Sequence, residues 1–118
     1  MEWRKLVGVE NHDYLMHGAI FRVRAEWPYE KFVDFMLVDM PDDGTRHALV
    51  VSSGRKAGLI LVRLPMESGS PTGNTLSLTW LIENWDKWVY PQCPVQDVYF
   101  LPRYEAGDPE QMSVTPPA

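Results

Sequence analysis

Apolar and polar positions alternate through residues 19–25, where Ala19, Phe21, Val23 and Ala25 interleave with Arg22 and Arg24. A period of two predicts a half-buried strand that turns both arginines to its other face. A shorter apolar run at 6–9 predicts an earlier strand, followed by the polar turn Glu10-Asn11-His12-Asp13. Pro28 interrupts the pattern, because its ring fixes φ and disfavours helix at Trp27. Residues 32–40 read as a buried strand ending at Pro41, with a short helical turn from Pro28 through Phe32 as the competing reading of its start. Pro41-Asp42-Asp43-Gly44 predicts a tight turn. The β-branched runs 48–52 and 58–64 flank a polar loop bounded by Gly54 and Gly58, which predicts a hairpin. Residues 66–74, rich in glycine and serine, read as a flexible connection.

The period then changes. Leu78, Leu81, Ile82, Trp85 and Val89 fall on one helical face, with Trp88 at its margin and Asn84 and Lys87 opposite. Ser77 or Thr79 is placed to cap this helix, and Pro91 ends it. Trp85 is therefore a core residue, and each buried side chain of this kind contributes about 2–3 kcal/mol. Residues 95–101 read as a last strand. The expected fold is a single α+β domain over residues 1–101: an antiparallel sheet, largely a meander, with one main C-terminal helix packed on it. Residues 102–118 have little to bury and read as a flexible tail.

A chain of 118 residues with 45% hydrophobic content can bury such a core without disulfides or metal. Cys93 has no second cysteine to bridge and no basic neighbour in sequence, so it reads as an inert structural thiol. The charged start Met1-Glu2-Trp3-Arg4-Lys5 predicts no export signal, and no apolar run is long enough to cross a bilayer. A cytoplasmic location without membrane attachment is the expectation. Sixteen acidic against eleven basic residues give a net charge of −5. That balance argues against nucleic acid as a partner and suits a basic protein.

Catalytic and cofactor signals are missing from the pattern. His12, His17 and His47 match no zinc spacing and read as surface histidines, so neither a metal nor a cofactor is expected. No nucleophile elbow, dinucleotide fingerprint or phosphate loop occurs. Asp39, Asp42 and Asp43 gather around a turn too exposed for acid–base work. Gly54-Arg55-Lys56-Ala57-Gly58 lacks the residues of a true anion cradle, yet as a hairpin tip it displays two cations.

Residues 49–61 (LVVSSGRKAGLIL), 80–91 (WLIENWDKWVYP) and 93–99 (CPVQDVY) resemble the motifs of the Imm45 family of bacterial immunity proteins. The similarity also takes in 21–24 (FRVR) and 35–39 (FMLVD) and extends over residues 3 to 101. The resemblance implies a protein, not an enzyme, that binds a cognate toxin of a polymorphic toxin system and neutralises it by occlusion. It supplies no catalytic residue and no interface map. Candidate contact residues come from expected exposure: Arg22, Arg24, Trp27, Arg55, Lys56 and Trp88 as anchors, with Asp39, Asp42 and Asp43 steering a basic toxin. The alternative is a small-ligand or peptide-binding regulatory domain, using a groove between helix and sheet lined by Trp80, Trp88 and Tyr99. A small enzyme ranks third. Nothing in the pattern speaks to oligomeric state.

Overall fold

The computed structural model describes residues 2–9, 13–42, 45–111 and 115, with the backbone alone at Asp42 and Thr45. Its strands are β1 (Arg4–Lys5), β2 (Tyr14–Leu15), β3 (Ile20–Arg24), β4 (Phe32–Asp42), β5 (Thr45–Val51), β6 (Ile60–Arg63), β7 (Leu76–Ser77) and β8 (Tyr99–Leu101), with one helix, α1 (Leu78–Trp88). The main sheet has the order β1-β8-β3-β4-β5-β6, and every pairing in it is antiparallel. β3 to β6 form the expected meander. The fold is α+β, as the periodicities indicate.

The alternation along β3 sorts its side chains as expected. Phe21 and Val23 are fully buried, while Arg22 is half-buried and Arg24 exposed. Antiparallel register carries this phase across the sheet, because directly opposed residues share a face. Phe21 opposes Phe35 and Phe100, Val23 opposes Val33, and Leu37 opposes Leu49, all of them buried. Helix α1 lies on this face. The Trp85 ring sits 5.9 Å from that of Phe21, and its indole N–H donates to the Cys93 carbonyl at 3.2 Å. A fully buried tryptophan thus keeps its one polar group satisfied.

Both ends of α1 follow the sequence signals. The Ser77 hydroxyl accepts the Trp80 N–H at 3.2 Å, and Val89 closes the helix two residues before Pro91. Beyond it, Tyr90 packs edge-on to Tyr29 and accepts the Glu26 N–H through its hydroxyl at 3.0 Å. The loop after β3, which contains a cis Trp27–Pro28 peptide, is thereby tied to the end of the helix.

Several boundaries differ from expectation. Residues 6–9 do not form a strand: the ladder uses Arg4–Lys5, and Leu6–Gly8 makes a single 3-10 turn. Leu6 is buried there, with its N–H on the Val98 carbonyl at 2.9 Å, so core burial turns the chain inward. Residues 95–101 likewise split into a 3-10 turn at Val95–Asp97 and the strand β8, because Pro94 sets the turn's entry. β4 continues past Pro41 to Asp42, and the register shift between Asp39 and Asp42 accommodates a residue without an N–H. Asp43 and Gly44 of the expected turn lie outside the described residues. Residues 66–74 contain a 3-10 turn at Met66–Ser68 with Ser68 buried, and lead into the unforeseen pair β2–β7. After β8, the Tyr104 N–H donates to the Gly18 carbonyl at 2.7 Å.

Candidate partner-binding surface

The sheet face opposite α1 carries the other half of the alternation. In register, Arg22 faces Asp34 and Tyr99, Arg24 faces Phe32, and Lys5 faces Tyr99. Arg22 grips Asp34 through two parallel bonds, from Nε at 2.7 Å and Nη2 at 2.9 Å. That pairing holds the guanidinium firmly protonated, since the bond to Asp34 outweighs the partial desolvation. The Asp34 backbone is fixed as well: its N–H donates to Ser53 Oγ and its carbonyl accepts the Ser52 N–H, both at 2.8 Å.

Aromatic rings on this face are covered by cations. Arg22 Cζ lies 4.2 Å from the Trp3 ring centre and Lys5 Nζ 4.4 Å from that of Tyr99. Phe32 is approached by two cations, Arg24 at 5.0 Å and Lys31 at 5.9 Å. Exposed cation–π contacts contribute about 0.5–1 kcal/mol each, so they organise the surface without sealing it. Trp3, Arg22, Phe32, Asp34, Ser53 and Tyr99 enclose an open hollow of about 460 Å³.

Next to this hollow, the loop after β3 meets the tip of the β5–β6 hairpin. Trp27 is 91% exposed, an unusual state for the largest apolar side chain. Trp27 and Pro28 share a cleft with Arg55 and Lys56. Glu30 locks the two segments together by accepting the Arg55 N–H at 2.9 Å, which holds its carboxyl below the usual range. The same carboxylate occupies the space a Cβ on residue 54 would need, and φ there is +71°. Gly54 is required both by the turn and by the lock.

Of the sequence-selected residues, Trp27, Arg55 and Lys56 share one cleft, and Arg22 and Arg24 lie on the open sheet face, whose hollow reaches Ser53 beside the tip. The others lie apart. Asp39 is seven residues along β4 from Phe32, roughly 24 Å at strand rise, and its carboxylate accepts from Arg46 at 3.1 and 3.3 Å. That bond keeps the Asp39 carboxyl below its usual range. The Asp42 side chain and all of Asp43 lie outside the described residues. Trp88 is half-buried on the opposite side of the sheet, its ring 6.0 Å from Trp80. Tyr99 is on the open face, away from α1, so Trp80, Trp88 and Tyr99 do not line a common groove. The space beneath the helix is filled by Trp85, Phe21 and Phe100.

Trp3, Lys5, Lys31, Phe32 and Asp34 were not among the candidates. The strand phase of Phe32 and Asp34 was readable beside buried Val33 and Phe35, but Trp3 reaches this face only through pairing of the two chain ends. The histidines require a correction. His47 is only 3% exposed, in phase with the covered side of β5. Its Nδ1 lies 3.0 Å from His17 Nε2, and the rings are 5.1 Å apart. Burial is the main cause that lowers both pKa values; Arg46 adds to it and Asp39 opposes it. His12 lies outside the described residues. Cys93 is buried, and desolvation raises its pKa, as expected of an inert thiol.

Among the described residues no cluster of three metal-ligating side chains occurs, and no helix is long and apolar enough to cross a membrane. A family model described as Immunity protein 45 matches residues 7–100. No curated protein and no solved structure matches the chain.

Proposed function

The chain belongs to the Immunity protein 45 family, and from that premise we propose that it neutralises a cognate bacterial toxin in the cytoplasm by binding and occluding it. The observation that carries the reading to a surface is the meeting of exposed Trp27 with Arg55, Lys56 and the cation-covered aromatic face. Exposed tryptophan and arginine are the side chains that most often anchor protein interfaces. A standard interface takes about 800 Å² from each partner, so it would draw on the open face, the loop and the hairpin tip together. The role is stoichiometric and non-catalytic. Within the hollow, Arg22 and Asp34 are bonded to each other, which suits a surface that binds a partner.

The test is to look for a toxin gene beside this one and to co-express its toxin domain with this chain. Rescue of growth together with a purifiable complex is the expected result. Failure of both rescue and binding refutes the proposal. A small-ligand reading keeps one supporting observation, the 460 Å³ hollow. Thermal stabilisation by a metabolite, abolished by blocking the hollow, would favour that reading instead.

A further inference from the structure

The total charge of −5 points to a basic partner, but charge is not spread evenly over the molecule. Six of the eleven basic residues, Lys5, Arg22, Arg24, Lys31, Arg55 and Lys56, belong to the open face and the adjoining tip. Arg22 is neutralised by Asp34, and Lys5 lies 3.8 Å from Asp97. Arg24, Lys31, Arg55 and Lys56 have no carboxylate at salt-bridge distance among the described residues, and the one carboxylate felt by Arg55 and Lys56, that of Glu30, leaves the four cations in excess. Two of these four hold their charge over the Phe32 ring, which is 42% exposed, so a docking group would meet cations on an apolar base.

Contact chemistry is decided over a screening length of about 8 Å at physiological salt, not by the charge of the whole chain. We propose, resting on the toxin-neutralising reading, that this end of the sheet docks an acidic segment of the toxin. Its carboxylates would lie on Arg24 and Lys31 over Phe32 and on the Arg55–Lys56 tip, and its apolar side chains would lie against Trp27. Single-stranded nucleic acid is the competing polyanion for a face of cations and aromatics. It is disfavoured because bases need open ring faces to stack on, and on the sheet the Trp3, Tyr99 and Phe32 rings are each already approached by a cation.

The experiment compares Arg24→Glu/Lys31→Glu with a control of equal charge change, Lys87→Glu/Arg103→Glu, at exposed sites that belong neither to the open face nor to the hairpin tip. Binding to the toxin domain identified by the co-expression test is measured at low and high salt, after circular dichroism confirms that each variant folds. The expected result is a loss of about 30-fold or more for the first pair, mainly in association rate and shrinking at high salt, against less than about threefold for the control. Unchanged or tighter binding by the first pair overturns the acidic dock and leaves the neutralising function standing. If the wild-type chain neither binds nor rescues, the neutralising reading itself fails. The charge preference of the face is then read separately, from NMR titration with hexaglutamate, hexalysine and a single-stranded oligonucleotide. Shifts at Phe32, Lys31 and the Trp27 indole with hexaglutamate support the acidic preference. Shifts there with hexalysine, with the oligonucleotide alone, or with none of the three overturn it.

Discussion

The two faces of the main sheet are built from alternate residues of the same strands, yet they solve opposite problems. Phe21, Val23, Val33, Phe35 and Leu37 on the covered face are fully buried under α1. Their neighbours Arg22, Arg24, Phe32 and Asp34 face outward, where each aromatic ring is partly covered by a cation. Burial dictates the first set almost completely, because a close-packed interior admits few alternatives. The outward set is under no such demand. Its cost is exposed apolar area, which monomeric proteins tend to keep small unless it serves an interaction.

The largest expected effect tests the covered face. Trp85→Ala should lower stability by about 3–5 kcal/mol in urea unfolding, from lost burial and the cavity left between Phe21 and α1. A loss below about 1 kcal/mol would mean that the helix is not the clamp described. The opposite pattern is expected for Trp27→Ala. Stability should shift by less than about 0.5 kcal/mol, while toxin binding weakens by about 2 kcal/mol or more, measured by calorimetry. If both quantities fell together, the division between a structural face and a recognition face would be wrong.

The smallest effect concerns the polar exception on the covered side, His47 with His17. Their pKa values are lowered in the folded state, so the unfolded chain binds protons first as pH falls. Stability should be full above the unfolded histidine value, near pH 6.5, and decline below it until the folded pair also titrates. His47→Leu with His17→Leu should flatten the slope of the urea midpoint between about pH 7.5 and 5.5. The carboxyls of Glu30 and Asp39, whose pKa values are also lowered, lose their contribution only at more acidic pH, so the two windows separate. An unchanged slope in the double variant would remove the pair from the account.

How much of this was legible in the chain follows from how far apart the interacting residues lie. Strand β3, the hairpin and α1 were readable because each is specified by local periodicity and punctuation, such as Arg22 and Arg24 between apolar residues or Ser77 and Pro91 around the helix. The short ladder of β1 on β8 was not, since Arg4 finds Phe100 only after the sheet is assembled. His47 resembled a surface residue between Arg46 and Ala48 because its partner is thirty positions away. Candidate contacts chosen for exposure divided in the same manner. Arg55, Lys56 and Trp27 converge because Glu30 joins their segments, a contact with no local signature. Asp39 and Trp88 were equally good candidates by composition but lie elsewhere.

The Glu30 lock has a consequence for how this protein can change. Its hydrogen bond holds the hairpin tip by the Arg55 backbone N–H and needs the absence of a side chain at Gly54, while the Arg55 and Lys56 charges add only the weaker attraction of exposed groups. Both side chains can therefore be exchanged while the hydrogen bond that frames them is kept. A lineage of descendants, or a laboratory library, could exchange those two positions and keep the same scaffold, whereas Glu30 and Gly54 would have to be inherited as a pair.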